Sequence, residues 1–230
     1  IINPVNNKKV SIFSKQGKKI LKNYVKNFKI YSLKGGMNTT EQEQINFSVM
    51  QFNIWQEGRE YDKGFHEIAL VIAEFKPDFV CISENRNFGF LPRLCEEITK
   101  IDNGLNYHHT SEEENTTTEE YGNTFHNDTS ILSKHTIISD EKLIKYNRDD
   151  DCGSVTKITC NINGVGVCVY SIHLDWHFYI PYMTRGYSGS SPYEKLSKIP
   201  SNEEIVIESA KSKRLNQTKT IIQDANMEIS

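Results

Sequence analysis

The sequence predicts a mixed α/β domain that begins near residue 45 and follows a short basic segment. Three observations support this prediction. An apolar strand, an amphipathic helix and a second apolar strand succeed one another between Ile45 and Glu84, as in a βαβ unit. Two runs rich in β-branched residues flank Asn163-Gly164, a dipeptide typical of a tight hairpin turn. A polar run after Gly35-Gly36 separates these features from the lysine-rich start.

Residues 1–36 differ in charge from the rest of the chain. They hold nine lysines and no Arg, Asp or Glu, which leaves 18 basic against 30 acidic side chains in the remainder, a net charge of −12. β-branched and aromatic residues are mixed with these lysines, and Gln16-Gly17 is a turn signal. We therefore predict a β-rich appendage over 1–36, or the end of an upstream domain, joined by a linker over 37–44. Such a segment either binds a polyanion through counterion release or is a solvated fragment whose lysines protect exposed strand edges.

The first elements of the domain at 45–230 form the βαβ unit. The stretch 47–53 has apolar residues on both faces, which predicts a central strand covered on both sides, with Asn53 at its end. Apolar residues then recur at helical spacing over 65–75, and Pro77 ends that helix. The apolar run 79–82 is the second strand, and Glu84 follows it.

The later elements continue the mixed order. A helix is predicted over 90–101, a strand over 130–133, and a hairpin with strands at 154–162 and 165–174. Ser201 and Glu204 form a capping box, which predicts the start of one long helix with an imperfect apolar stripe.

The five cysteines predict ordinary buried thiols. No Cys-x-x-Cys pair occurs, which argues against a zinc knuckle or a redox motif, and an odd number argues against a complete disulfide framework. The predicted hairpin places Cys160 opposite Val167 and Cys168 opposite Thr159. These two thiols would then lie on opposite faces of the hairpin, where they cannot bridge.

No membrane span is predicted. The apolar runs are all far shorter than the roughly 20 residues that cross a bilayer. The opening residues Ile1-Ile2-Asn3-Pro4 lack the basic start and apolar region of a signal peptide. Because the chain starts without Met, an upstream part is left open, and the sequence identifies neither a compartment nor an oligomeric state.

Three polar residues stand at the ends of apolar strands: Asn53, Glu84 and His173. Open α/β sheets usually bind ligands beyond the carboxyl ends of their strands, so these side chains are candidates for one shared site. Taken singly, each also fits a turn former, a solvated carboxylate or an ordinary histidine. Together they suit phosphoryl chemistry, because hard oxygen ligands bind Mg²⁺ and an imidazole can donate to a phosphoryl oxygen or a leaving group.

A family resemblance rests on four segments in a fixed order. They are Phe52-Asn53-Ile54-Trp55, Val80-Cys81-Ile82-Ser83-Glu84, Ser130-Ile131-Leu132-Ser133-Lys134 and Tyr170-Ser171-Ile172-His173-Leu174. With the Arg214-x-x-Gln217 helix, they resemble the first part of the endonuclease/exonuclease/phosphatase superfamily over roughly residues 46–225. The resemblance implies a two-sheet sandwich flanked by helices, in the layer order α/β/β/α.

The resemblance also implies roles for the three strand-end residues. Glu84 matches the acidic metal ligand, Asn53 the residue that helps to place metal and phosphate, and His173 the histidine that stabilises or protonates the phosphoryl group. Mg²⁺ is the implied metal, with Mn²⁺ and Ca²⁺ as alternatives. The implied activity is that of a phosphodiesterase, phosphatase or nuclease.

The family's Gly-Asp-x-Asn strand and terminal Asp-His pair have no counterpart before Ser230. We therefore expect a C-terminally incomplete domain that is a fragment of a longer enzyme and inactive by itself. The alternative is a non-catalytic binding or interaction protein that keeps the fold.

The substrate is less defined than the reaction. The segments His173-Leu174-Asp175-Trp176, Pro181-Tyr182 and Arg185-Gly186-Tyr187 are similar to a bacterial-type subgroup of the superfamily. Tyr182, Arg185 and Tyr187 are thus candidate substrate-binding residues, with the alternative that they are a solvated loop arginine and packed tyrosines. The acidic domain carries no basic stripe for duplex DNA, so DNA, RNA, lipid headgroups and small phosphoesters all stay open as the phosphoester partner.

Overall fold

The computed structural model describes residues 14–19, 45–59, 61–112, 128–145, 153–175, 177–189, 191–211 and 213–229. The chain forms two compact units, 1–46 and 47–230. In the first unit, residues 15–19 are helical, and Ser14 begins the turn by accepting from Gly17 N through its hydroxyl at 3.0 Å. The predicted strand turn at Gln16-Gly17 is therefore wrong, because a serine cap favours a helix start here. The rest of the predicted β-rich appendage and the linker at 37–44 lie outside the described residues.

The second unit contains nine strands, five α-helices and one 3-10 helix (Gln56–Gly58) among its described residues. The strands are β1 (Val49–Asn53), β2 (Phe79–Ser83), β3 (His108–His109), β4 (Thr129–Ser133), β5 (Ile137–Ile144), β6 (Ser154–Ile162), β7 (Val165–His173), β8 (Tyr187–Ser188) and β9 (Ser191–Lys195). The helices are α1 (Gly64–Phe75), α2 (Phe90–Ile101), α3 (Ile180–Met183), α4 (Asn202–Ser209) and α5 (Arg214–Ile229).

These elements build a two-sheet sandwich. The first sheet has the order β1-β2-β4-β3, and the second has the order β5-β6-β7. The inner strands β2 and β4 pack against β6 and β7, and the Ser171 hydroxyl donates to the Ile82 carbonyl across the interface at 2.9 Å. Helices α1 and α2 bury their apolar faces on the outside of the first sheet, and α5 contacts the second. The α/β/β/α layering is confirmed.

The βαβ unit is confirmed, but β1 is not a central strand. It pairs in parallel with β2 at one end of the sheet that the described residues form, and its side chains alternate between exposed and half-buried. The centre of the sheet is β2, whose five residues are all buried. Apolar residues on both faces of a strand therefore do not show that it is central in the sheet, because edge strands can also have them.

The hairpin register is confirmed, with Cys160 opposite Val167 and Thr159 opposite Cys168. The described cysteines 81, 95, 160 and 168 are free thiols, and Cys152 lies outside the described residues. The capping box at Ser201 and Glu204 is also present.

The predicted long helix is wrong, because the chain forms α4 and α5 with a break between them. The reason is tertiary: the buried carboxylate of Asp175 accepts from Lys213 N at 2.8 Å, so it caps a new helix start. In the part of the chain that the structure describes, no helix has the length and apolar character of a membrane span.

Candidate functional site

Sheet topology brings four polar side chains to one end of the sandwich. Asn53 is opposite Ser83 in the parallel β1–β2 pair, so Asn53 and Glu84 lie at the same edge of the sheet, the one formed by the carboxyl ends of these two strands. Strand β4 is antiparallel to β2, so its start, which follows Asp128, lies at that edge too. His173 ends β7 of the facing sheet and makes an ion pair with Asp128. The structure thus joins Asn53 to Glu84 and His173 to Asp128.

Asn53 and Glu84 form a directly bonded pair. The Asn53 side-chain nitrogen donates to Glu84 Oε1 at 2.8 Å, and the backbone N–H of Gln56 donates to Glu84 Oε2 at 3.1 Å. Asn53 Oδ1 in turn accepts from Trp55 N at 2.9 Å. Both side chains are therefore held in place by the turn that follows β1.

Asp128 and His173 form an ion pair whose histidine is partly exposed. The Asp128 carboxylate is fully buried and bonds His173 Nδ1. Burial of the ring acts to lower the pKa of His173, but the hydrogen bond and charge of Asp128, with the charge of Glu84, outweigh it and raise that pKa above its ordinary value. The arrangement favours an imidazolium whose Nε2–H points away from Asp128 and can donate to a ligand.

Asp128 and Arg86 belong to this group, and the sequence alone did not identify them. Arg86 Nε donates to Asp128 Oδ1 at 3.4 Å, so the guanidinium and the imidazole share one carboxylate. Asp128 also accepts through its backbone carbonyl from Glu84 N at 2.7 Å. In the sequence, Asp128 is a carboxylate just before an apolar strand. This position points to the site only when the strand is known to run antiparallel to β2.

The turn after β1 has an unusual backbone. Trp55, Gln56 and Glu57 have φ angles of 42°, 50° and 63°, and Gly58 follows at 73°. Non-glycine residues seldom adopt such angles, and strained backbone of this kind clusters at functional sites. The turn exposes the Trp55 ring beside Tyr61, with ring centroids 6.5 Å apart, and buries Glu57.

The Arg-x-x-Gln pair of α5 secures the loop after β7. Gln217 Oε1 accepts from Asp175 N at 2.9 Å, and the Arg214 guanidinium donates to the Asp175 and Phe178 carbonyls at 3.2 and 2.7 Å. These bonds fix the chain two residues beyond His173. This is a structural role that the resemblance did not specify.

The candidate substrate-binding residues lie farther along the chain from this group. Tyr182 is half-buried at the end of α3 and packs edge-on against Tyr179, with centroids 4.9 Å apart. Tyr187 is opposite Lys195 in the β8–β9 hairpin, and Arg185 is exposed between them. Among the described residues, no hydrogen bond or ion pair joins these three side chains to Asn53, Glu84 or His173.

Glu84 and Asn53 offer the oxygen donors that Mg²⁺ prefers, and both keep lone pairs beyond the hydrogen bonds they accept. Mg²⁺ commonly binds one or two carboxylates and retains waters, so this donor set fits such an ion. Within the ranges that the structure covers, no group of three or more His, Cys, Asp or Glu side chains is arranged to hold a metal ion.

The two sheets and their flanking helices have the α/β/β/α layering that the sequence resemblance implies. No known family profile and no curated protein matches the chain. Solved structures do match, and the chain spans 54% of an endonuclease/exonuclease/phosphatase family protein from Leptotrichia buccalis, with 56% of this chain covered, 16% identity and a TM-score of 0.40.

Two further matches carry different names. SmcL is 14% identical, with a TM-score of 0.46, and the match covers 79% of this chain and 59% of SmcL. ANGEL2, titled a 2',3'-cyclic phosphatase, is 16% identical with a TM-score of 0.41, covering 57% and 42% of the two chains. The assignment of the fold rests on the sheets and helices described above.

Proposed function

We propose that the protein is a divalent-metal-dependent phosphoester hydrolase, acting as a nuclease, phosphodiesterase or phosphatase. The observation that supports this best is the convergence of the Asn53–Glu84 and Asp128–His173 pairs at one end of the sandwich. One pair offers oxygen ligands for a cation, and the other offers a proton donor. Both assist phosphoester cleavage, because negative charge develops on the phosphoryl and leaving oxygens.

Glu84 and Asn53 are the proposed metal ligands. A bound Mg²⁺, or Mn²⁺ or Ca²⁺ in its place, would neutralise charge on the phosphoryl group. The hydrogen bonds from Asn53 and Gln56 hold the Glu84 carboxylate in one orientation, so its remaining lone pairs are aimed before a ligand arrives. This preorganisation limits the reorganisation that binding would require.

His173 is the proposed donor to the phosphoryl group or its leaving oxygen. Asp128 orients the ring through Nδ1 and stabilises the imidazolium, which leaves Nε2–H for the substrate. Arg86 balances part of the Asp128 charge and adds a cation to the same edge. Tyr182, Arg185 and Tyr187 are proposed to bind the rest of the substrate, with nucleic acid among the candidates.

Substitution of the two pairs tests this function. In the protein, Glu84→Ala and His173→Ala should each lower the turnover of bis(4-nitrophenyl) phosphate by about 100-fold or more, as expected for a lost metal ligand or general acid. Glu84→Ala should also weaken Mg²⁺ binding measured by calorimetry, whereas His173→Ala should not. Glu96→Ala, an exposed glutamate on α2, is the matched control. Near parental turnover at saturating Mg²⁺ in either site variant would refute the proposal.

A non-catalytic binding protein is the second candidate. It is favoured by the finding that, in the described ranges, no group of three or more His, Cys, Asp or Glu side chains is arranged to hold a metal ion. The two candidates differ in one measurement. A binding protein would bind a phosphoester with an affinity that depends on Arg86 or His173 and would show no metal-dependent turnover.

A further inference from the structure

We propose that Glu57 is a positioning residue for this site: its buried carboxylate fixes the loop that carries Arg86 and so holds the Arg86 guanidinium against Asp128, the partner of His173. The consequence for catalysis rests on the proposed function. The geometry itself can be tested without it.

The backbone around Glu57 is held by the site's own side chains. Asn53 Oδ1 accepts from Trp55 N at 2.9 Å, and Glu84 Oε2 accepts from Gln56 N at 3.1 Å. The positive φ angles of these turn residues are unfavourable for side chains with a Cβ, so the surrounding contacts must maintain them. In this conformation, the turn directs the Glu57 side chain into the protein interior.

Glu57 then binds the backbone next to Arg86. Its Oε1 accepts from Arg86 N and from Asn87 N, each at 2.6 Å, and its Oε2 accepts from the Asn87 side chain. Glu57 is 6% exposed, and the Arg59 guanidinium lies 3.6 Å from Oε2. A buried carboxylate is stable only when such hydrogen bonds and charges compensate for its lost hydration. The position of Glu57 and the position of the loop that carries Arg86 therefore depend on each other.

Arg86 connects this anchor to the candidate catalytic pair. Its backbone N–H is bound by Glu57, and its Nε–H donates to the Asp128 carboxylate that also bonds His173. Glu57 contacts neither Asp128 nor His173 in any of these bonds. The route from its side chain to that pair therefore runs through the placement of Arg86.

The first experiment measures that placement directly. In the parent chain, the ¹⁵Nε–¹H signal of Arg86, assigned with Arg86→Lys, should be protected from exchange by its bond to buried Asp128. Glu57→Ala should abolish this protection while the rest of the spectrum stays dispersed, and Glu57→Gln, which keeps one acceptor oxygen, should shift the signal by less. If Glu57→Ala does not fold, the Glu57→Gln shift decides. An unchanged Arg86 signal in the folded variants would overturn the inference, whether or not the protein is an enzyme.

The second experiment is a double-mutant cycle on turnover in the full-length protein. Glu57→Gln should lower kcat/KM by about 10-fold, the lower end of what outer-shell partners contribute. In an Arg86→Ala background, the same change should cost less than about 2-fold, because the route through Arg86 is already lost. Glu96→Ala serves as a control with little expected effect.

The outcomes of the cycle separate the two proposals. If Glu57→Gln and Arg86→Ala reduce kcat/KM independently, so that their effects multiply, Glu57 is a structural residue and the inference fails. If the parent shows no metal-dependent turnover, the proposed function fails, and the Arg86 signal alone decides the inference.

Discussion

At the scale of single residues, the Asp128–His173 pair differs most clearly from the exposed charged pairs of an ordinary protein surface. Asp128 is fully buried, and its charge is matched by His173 and Arg86. A buried carboxylate without such partners would be strongly unfavourable. The free energy of unfolding therefore depends on the protonation of His173, because a neutral ring would balance less of the negative charge of Asp128.

This link predicts a pH dependence of stability with a defined sign. The pKa of His173 is raised in the folded state, so its stabilising contribution is complete below the ordinary histidine pKa of about 6.5 and is lost as pH rises through the higher folded value. The free energy of unfolding should therefore decrease with pH above about 6.5, and His173→Gln should remove that component. Urea titrations of both proteins across this range measure it. Parallel stability curves for the two proteins would contradict the prediction.

At the scale of elements, helix α5 is attached to the second sheet largely by charge. Its Leu215, Ile222 and Met227 are exposed, so its apolar stripe contributes little to docking. The Lys157 ammonium on β6 is almost fully buried and pairs with Asp224 at 2.9 Å and with Glu228. Tyr170 also donates to Asp224 at 2.6 Å. These contacts explain how a helix with a poor hydrophobic pattern packs at a defined position.

Removal of Asp224 should therefore destabilise the protein. Asp224→Ala leaves Lys157 buried with only Glu228 as an acidic partner, and we expect a loss of roughly 2 kcal/mol, below the roughly 3–5 kcal/mol of a buried pair broken outright. The double variant Lys157→Met/Asp224→Leu should recover most of this loss, because no buried charge remains unpaired.

Denaturant titration measures both changes. Glu208→Ala, which removes a surface pair with Lys211, is the control and should change stability by less than about 1 kcal/mol. A double variant less stable than Asp224→Ala would contradict the explanation.

At the scale of the whole molecule, the chain combines a basic segment with an acidic domain. Residues 1–36 carry nine positive charges, whereas the net charge of the whole chain is −3. An acidic domain would repel nucleic acid at long range. A basic segment on the same chain could supply the attraction that the domain lacks.

Deletion of residues 1–36 tests that role. If the segment recruits nucleic acid, the deletion should weaken binding to nonspecific DNA or RNA at low salt and reduce the salt dependence of binding, while the turnover of a small phosphodiester stays unchanged. Fluorescence polarisation over a salt titration measures the affinity. Equal affinities with and without the segment would leave only the structural interpretation.

Local patterns in the sequence determined much of the fold. The apolar periodicity of α1 and α2, the Asn163-Gly164 turn and the Ser201 capping box each depend on residues within a few positions of one another, and all are confirmed. The strand-end positions of Asn53, Glu84 and His173 follow from the same local patterns. Their catalytic and metal-binding roles stay predictions.

Only the tertiary structure decided the features that depend on distant residues. The edge position of β1 depends on which strands pair, and the break before α5 depends on a cap from Asp175, 38 positions earlier in the chain. The selection of Asp128 as the partner of both His173 and Arg86 depends on the antiparallel placement of β4 beside β2. A sequence pattern reports the propensity of a segment, whereas these contacts arise from the packing of segments far apart in the chain, which no local periodicity encodes.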